Sequence, residues 1–246
     1  MAGAIQLARE WNTHLVFVWV AMPDMNAKLH QLFRDFPYTV IDLHDNDFLF
    51  WLIGKLKTLN SLLGGVNIVD PTVYAKMRGD DKGKEYLNSI RGKRVILNTC
   101  ENVTDSTDFS MFNISRTVKK LSDIRLPEDT IGVHIRRTDN KNSCEFSPTE
   151  LFIEQMRKEV SSNPAGCFYL STDDADEERK LKEIFGERII VYPKRSLDRN
   201  TLQGQEDALI DLHNLSCCKK ILASYYSSFS TVAAEWGKIE KIVIRK

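Results

Sequence analysis

The sequence predicts an α/β fold in which parallel strands are covered by helices on both faces. Short runs rich in Val and Ile recur along the chain, and many are continuously apolar, as is typical of strands buried on both sides. From residue 130 onward these runs alternate with segments of helical period, which is the order of a doubly wound sheet. The predicted strands are residues 14–20, 38–43, 94–98, 130–135, 167–171, 188–192, 220–224 and 241–245.

The residues at their ends predict several of the helices. The amino-terminal stretch MAGAIQLAREWNTH has the period of an amphipathic helix and lacks the pattern of a signal peptide. The sequence Ser147-Pro148-Thr149-Glu150 predicts a capping box, with Ser at the N-cap and Pro as the first helical residue. The segment ADEERKLKEIFG begins acidic, turns basic and is expected to end at Gly186.

The domain organisation is predicted from a polar stretch in the middle of the chain. A chain of 246 residues is long enough for one large domain or two small ones. The stretch SDIRLPE, residues 122–128, has the composition of a linker. We therefore predict one α/β domain over residues 1–125 and a second over residues 126–246.

Composition excludes several classes of function. The 34 basic and 34 acidic residues cancel, which argues against a nucleic-acid-binding protein. No apolar run approaches the roughly 18 residues of a membrane span, so no integral membrane segment is predicted. The five cysteines have an odd count and no CxxC spacing, which argues against a disulfide framework and a zinc site. These features predict a cytoplasmic protein.

Two adjacent arginines stand out in the stretch IGVHIRRTDN. Strand alternation places Ile131, Val133 and Ile135 on one face and residues 132, 134 and 136 on the other. Arg136 and Arg137 then lie at the carboxyl end of a parallel strand, where open α/β sheets bind ligands. Paired guanidinium groups suit a phosphate or diphosphate. The alternative is that they form buried ion pairs with Asp139 or another acid.

Polar groups are also expected at the ends of two other strands. Ser227 and Ser228 stand between a strand and the helix STVAAEW, where they could bind an anion or simply cap the helix. Asp173 and Asp174 follow another strand and could be functional or an N-cap. Two adjacent carboxylates without further ligands make a weak metal site, so we predict no metal.

Three ordered stretches resemble a known family. VHIRRTD resembles the His-x-Arg-Arg-x-Asp signature of the α-1,6-fucosyltransferases, including the rhizobial nodulation fucosyltransferases. FYLSTDDADEERKLKE is similar to that family's strand and Asp-Asp segment. ALIDLHNLSCCKKILASYYSSFSTVAAEW resembles its final motif and that of the bacterial α-1,2-fucosyltransferases. The resemblance covers residues 131–246 well and residues 1–35 loosely, whereas residues 36–125 carry no signal.

The resemblance implies a GT-B-like fold made of two Rossmann-type halves. It also implies an inverting, metal-independent glycosyltransferase that transfers fucose from GDP-fucose to a glycan acceptor. The partners would be this nucleotide-sugar donor and the acceptor, with no further cofactor. The N-terminal domain would lie on the acceptor side, and the C-terminal domain would bind the nucleotide sugar.

The resemblance also assigns roles to residues that would contact the donor. Arg136 would hold the β-phosphate, and Arg137 would line the catalytic site. The remaining donor-side positions would be His134 and Asp211 at the guanine, Ser227 or Ser228 at the diphosphate, and Asp173 and Asp174 at the border of the active site.

The general base is expected among the acidic residues that follow the arginines. Glu145 is the first candidate, because it lies close to the family's acidic residue, although the spacing from Asp139 is one residue longer. Asp139 is the second candidate. The family's lysine after that Asp is replaced by Asn140, with Lys141 next to it.

The chain departs from the family at its beginning. The family has a strand and a glycine-rich turn before its first helix, whereas this chain begins inside that helix. We therefore expect an incomplete N-terminal half. The alternative function is a nucleotide-sugar-binding protein without turnover. A phosphatase or kinase is disfavoured, since no Walker A, HExxH or nucleophile-elbow motif is present.

Overall fold

Contacts within the chain divide the structure into two compact units. The structure is a computed structural model that describes residues 1–69, 81–97, 103–104, 106–122, 124–138 and 140–246. Unit 1 comprises Met1–Met22 and Asp35–Met111, and unit 2 comprises Pro23–Arg34 and Phe112–Lys246. The contacts assign the described residues from Phe112 onward to unit 2 and not to unit 1. Ile114 and Val118, for example, are buried in the hydrophobic core of unit 2.

The described part of the chain contains the following helices and strands, in sequence order. They are α1 (Ala2–Trp11), β1 (Val16–Ala21), α2 (Leu29–Leu32), β2 (Phe33–Arg34), β3 (Thr39–His44), α3 (Phe48–Leu62), β4 (Asn67–Val69), α4 (Asp81–Ser89), β5 (Val95–Leu97), β6 (Asn113–Ile114), α5 (Arg116–Leu121), β7 (Ile131–Ile135), α6 (Lys141–Phe146), α7 (Thr149–Ser162), β8 (Phe168–Thr172), α8 (Ala175–Phe185), β9 (Ile189–Ile190), α9 (Leu202–Ser216), β10 (Lys220–Ser224), α10 (Ser228–Gly237) and β11 (Glu240–Ile244).

The described strands of unit 1 form two short parallel sheets. One pairs β1 with β3, and the other pairs β4 with β5. Leu7 of α1 packs with Val69 of β4, with Leu87 of α4 and with Ile90, which follows α4, in a small apolar core. The amphipathic helix predicted at the amino terminus is confirmed as α1.

Unit 2 is built on a five-stranded parallel sheet in the order β11-β10-β7-β8-β9. Helices α7 and α8 cover one face, where Phe152 and Leu181 are buried against Val133. Helices α9 and α10 cover the other face, where Leu215 and Ala233 pack with the strands. The doubly wound arrangement predicted from the sequence is confirmed, because each face carries its own buried core.

The alternation predicted for the central strand β7 is also confirmed. Ile131, Val133 and Ile135 belong to the core under α7 and α8. Gly132 faces α9, and a Cβ added there would lie 2.9 Å from Leu215 Cδ2. The absence of a side chain at this position therefore lets α9 pack closely on the centre of the sheet.

Within the described residues each of the eight predicted strands is present. Three further short strands, β2, β4 and β6, have two or three residues each and were not predicted. The predicted helix that ends at Gly186 is confirmed as α8, whose C-cap Gly186 has φ 56°. The longer strands can therefore be predicted from runs of apolar residues, whereas strands of two or three residues depend on a neighbouring strand that pairs with them.

The predicted capping box before α7 is wrong. The helix begins at Thr149, its N-cap is Pro148, and no side chain caps it. The Ser147 hydroxyl accepts a hydrogen bond from the Tyr225 backbone N–H at 2.7 Å and donates to the Ile244 carbonyl at 2.5 Å. Ser147 is fully buried, so bonds to two neighbouring segments replace the local cap.

Within the described part of the chain, no helix is long and apolar enough to cross a membrane.

A glycine at the end of α10 should be essential for stability. A Cβ at Gly237 would lie 2.0 Å from the Ser216 carbonyl oxygen, and backbone atoms cannot move away easily. We expect Gly237→Ala to lower the free energy of unfolding by about 1–3 kcal/mol or more, measured by urea denaturation. The matched control is Gly54→Ala in exposed α3, where a Cβ meets nothing within 4 Å and should be neutral or slightly stabilising. Equal stability of Gly237→Ala and the wild type would contradict the close approach.

Candidate functional site

The candidate site lies at the carboxyl edge of the sheet in unit 2. Strands β10, β7 and β8 are adjacent and parallel, so the segments that follow them emerge at one edge. These segments are residues 136–138, 173–174 and 225–228, which include most of the predicted positions. Ligands of open α/β sheets bind at this edge.

Asp173 holds the turn that follows β7. Its Oδ1 accepts the Arg137 backbone N–H at 2.8 Å, and its Oδ2 accepts the Thr138 hydroxyl at 2.6 Å. The Arg136 Nε lies 3.2 Å from the same Oδ2. Burial tends to raise the pKa of Asp173, but the hydrogen bonds from Thr138 and Arg137 and the charge of Arg136 lower it overall. The carboxylate is therefore ionised and fixed at neutral pH.

Arg137 is held on three sides by the protein. Its Nε donates to Glu177 Oε1 at 2.8 Å, its Nη1 to the Arg136 carbonyl at 2.9 Å and its Nη2 to Thr149 Oγ1 at 3.0 Å. Its side chain is 12% exposed. Both arginines thus form the ion pairs that the sequence left open, with Glu177 and Asp173 as the acids. Asp139, the acid first considered, lies outside the described residues.

An open depression adjoins Arg137. It is lined by Arg137, Thr138, Asn140, Lys141, Cys144 and Glu145. Glu145 is exposed on α6, so its carboxylate is accessible. The structure thus brings the first base candidate and one of the two arginines to the same surface.

The turn between β10 and α10 is tied to the segment after β7. Asn140 Nδ2 donates to the Tyr226 carbonyl at 2.9 Å, and Ser143 Oγ donates to the Tyr225 carbonyl at 2.6 Å. Tyr226 has φ 56°, which is uncommon for an aromatic residue. Ser227 is the N-cap of α10, but its hydroxyl caps no backbone N–H. The first N–H groups of α10, which begins at Ser228, therefore receive no cap from this hydroxyl.

His134 is buried on the face of the sheet that carries α10. Its ring stacks on Phe229 with centroids 5.1 Å apart, and its Nδ1 is buried without a hydrogen-bond partner. Burial is the main reason that the pKa of His134 falls to about 4; Asp173 opposes this fall, whereas Arg136 and Lys194 add to it. The imidazole is therefore neutral at pH 7.

Asp211 is buried beside the same strands. Its Oδ1 accepts the Tyr169 hydroxyl at 2.6 Å, and its Oδ2 accepts the Ser171 hydroxyl at 2.9 Å. The Lys194 Nζ lies 3.2 Å from that Oδ2. Burial raises the pKa of Asp211, while Lys194 and the two hydroxyls oppose the increase. Ser171 pairs in register with His134 of β7, so Asp211 bonds to a side chain that lies one strand away from His134 on the same face of the sheet.

One predicted position has structural contacts of its own. Asp174 is the N-cap of α8 and accepts the backbone N–H groups of Asp176 and Glu177. Asp174 therefore differs from Asp173, whose oxygens bind the turn with the arginines.

Several residues of this edge were not predicted from the sequence. Tyr169 and Ser171 lie two residues apart on β8 and face Asp211, a period that the strand pattern could have indicated. Glu177 and Lys194 carry no such signal, because their partners come from distant segments. Among the described residues, no group of three or more His, Cys, Asp or Glu side chains could hold a metal ion.

Solved structures share this fold at low sequence identity. The α-1,6-fucosyltransferase NodZ soaked with GDP-fucose is 18% identical and matches with a TM-score of 0.58, over 96% of this chain and 86% of its own. Fucosyltransferase NodZ from Bradyrhizobium is 16% identical, with a TM-score of 0.57, over 94% and 85%. POFUT1 in complex with GDP is 10% identical, with a TM-score of 0.57, over 99% and 92%.

These likenesses establish the fold class of the chain. It is α/β and GT-B-like, as the resemblance implied. No family model matches the chain, and no curated protein sequence matches it.

The Asp173 carboxylate should stabilise the fold in a pH-dependent way. Because its folded pKa is lowered, its contribution is present above the ordinary pKa near 3.9 and is lost as the pH falls through the folded value. We expect Asp173→Asn to lose about 1–3 kcal/mol at pH 7 and the difference from wild type to shrink below about pH 4, measured by urea unfolding. The control is Asp176→Asn, whose side chain is 81% exposed and should matter little. A difference that is as large at pH 3 as at pH 7 would show that the charge is not responsible.

Proposed function

We propose that this chain is an inverting glycosyltransferase that transfers fucose from GDP-fucose to a glycan acceptor without a metal ion. The observation that carries the proposal is the fixed Arg136-Arg137-Thr138 turn at the ligand-binding edge of the sheet. Support comes from the fold, which is similar to that of NodZ soaked with GDP-fucose and of POFUT1 in complex with GDP.

The donor's diphosphate would bind between Arg136 and the start of α10. Cleavage of the bond between sugar and phosphate builds negative charge on the departing diphosphate, which fixed positive groups must stabilise. Arg136 supplies a guanidinium that Asp173 holds in place, and Ser227 and Ser228 add hydroxyls and helix N-terminal N–H groups. His134 and Asp211 would bind the guanine, and Asp173 and Asp174 would border the active-site cleft.

The acceptor hydroxyl would lose its proton to Glu145. Inverting transfer requires a base on the acceptor side, and the exposed Glu145 shares a depression with Arg137. Arg137 is held by Glu177 and Thr149, so it offers a fixed positive charge at the reacting sugar. Asp139 remains the second candidate for the base.

We also propose a reducing location, the cytoplasm. The described cysteines, Cys144, Cys167, Cys217 and Cys218, are all free. Free thiols are typical of proteins in a reducing compartment.

The alternative function is binding of a nucleotide sugar without turnover. It is favoured by the position of the base candidate Glu145, which lies one residue farther from Asp139 than the acidic residue of the resembled family. Incubation with GDP-fucose and candidate glycans separates the two functions. Release of GDP together with a fucosylated product supports the enzyme, whereas GDP binding without any product under all acceptors supports the binding protein.

Arg136 should be necessary for donor binding. We expect GDP to raise the melting temperature of the wild type, and we expect Arg136→Ala to lower GDP affinity at least about ten-fold, because a charge-assisted contact is lost. Arg136→Lys should recover little, since an ammonium lacks the bidentate geometry. The control is Arg179→Ala, which removes an exposed arginine of α8. If Arg136→Ala lowers the melting temperature but keeps GDP affinity, the arginine is structural only.

Glu145 should be required for transfer and not for donor binding. We expect Glu145→Gln to reduce turnover about 10²–10⁴-fold with unchanged GDP affinity, because the amide cannot accept the proton. Turnover is measured as product formation at saturating GDP-fucose, and affinity by calorimetry. Glu187→Gln, an exposed glutamate after α8, is the control and should behave as the wild type. Normal turnover in Glu145→Gln would remove Glu145 from the site and leave Asp139.

A further inference from the structure

An ion pair between Lys194 and Asp211 lies in unit 2 where the nucleotide base is expected. Lys194 belongs to the irregular segment between β9 and α9, and its Nζ is 3.2 Å from Asp211 Oδ2. His134 lies one strand away on the same face of the sheet, because Ser171, which donates to Asp211, pairs in register with His134. The positive charges of Lys194 and Arg136 both lower the pKa of His134, so both side chains are close enough to the imidazole to act on it electrostatically.

The three partners of Asp211 differ in how they are held. Tyr169 and Ser171 are fixed on strand β8, and Tyr169 also accepts a hydrogen bond from the Asn214 side-chain amide at 3.0 Å. Lys194 reaches Asp211 from a segment without helix or strand. Its side chain is 13% exposed, whereas that of Asp211 is 4% exposed. Of the three, Lys194 is therefore the partner that a ligand can displace with the least change in the fold.

Lys194 is incompletely satisfied in its present position. The ammonium carries three donors, yet Nζ is buried and has no well-aligned hydrogen bond to an acceptor in the described part of the chain. The Nδ1 of His134 is buried without a partner as well. Buried polar atoms without partners are costly, and two neighbouring ones point to a ligand with polar edges.

We propose that Lys194 determines base specificity by reading the oxo group of the nucleotide base. This inference rests on the proposed function. The ion pair would open so that the ammonium donates to a ring carbonyl while Asp211 accepts the adjacent ring N–H. A donor beside an acceptor matches the –NH–CO– edge of guanine and hypoxanthine. Adenine presents the reverse order, an amino donor beside a ring nitrogen acceptor, and is rejected.

Binding of GDP, IDP and ADP, measured by calorimetry, tests whether Lys194 determines base specificity. For the wild type we expect GDP and IDP to bind within about three-fold of each other, since IDP lacks only the 2-amino group, and ADP to bind at least about ten-fold more weakly. For Lys194→Met we expect GDP and IDP to weaken about ten-fold while ADP is unchanged, so that the preference over ADP is lost. A lysine that merely stabilises the fold would weaken all three alike.

Two further variants test whether a lost preference in Lys194→Met results from unfolding or from the general loss of a positive charge. Lys194→Met combined with Asp211→Asn leaves no buried lone carboxylate and should also lose the preference for GDP over ADP. Lys220 pairs with Glu159 at 2.8 Å at the amino end of β10, the opposite end of the sheet. Lys220→Met should retain the wild-type preference.

The outcomes separate this inference from the function on which it rests. Equal binding of GDP and ADP by the wild type, or an unchanged preference in Lys194→Met, would overturn the role of Lys194 alone. Failure of the wild type to bind any of the three diphosphates would overturn the proposed function and this inference with it.

Discussion

The hydrogen bonds to Asp173 are the interaction on which the candidate site depends. The strand β7 ends at Ile135, and the next backbone N–H groups leave the sheet without a ladder partner. The Arg136 N–H bonds to Ser224 Oγ at 3.1 Å, and Asp173 accepts the N–H groups of Arg137 and Thr138. A neutral residue at 173 could not hold two backbone donors, a hydroxyl and a guanidinium together, so the turn owes its conformation to this charge.

Three of the cations described at this edge of the sheet each pair with a different carboxylate. Arg136 pairs with Asp173, Arg137 with Glu177 and Lys194 with Asp211. Pairing makes it possible to keep positive side chains half-buried before a ligand arrives, because an unpaired buried charge is strongly destabilising. It also fixes their positions, and positions fixed in advance are what an anionic ligand needs from a binding site. The cost is that a ligand must compete with these carboxylates.

The sequence predicted the groups at this edge better than it predicted their contacts. The period of β7 placed His134 and Arg136 on one face, and His134 does lie on the face with Phe229 of α10. The pair Asp173-Asp174 was predicted to be either functional or an N-cap, and each residue took a different part: Asp174 caps α8, whereas Asp173 binds the turn. The residues around Asp173 and Asp174 in the sequence could not distinguish the roles of the two carboxylates. These roles depend on which neighbouring strand ends beside each carboxylate.

What the sequence determined by itself was the order of strands and helices from residue 130 onward, the two faces of β7 and, through resemblance, the fold class. These follow from apolar period and from short stretches of contiguous residues, which act over a few residues only. The tertiary structure alone decided that Ser147 bonds to distant segments instead of capping α7, and that Lys194 pairs with Asp211. Such contacts join residues far apart in the chain, and a buried polar group takes whichever partner the packing of the sheet brings within reach.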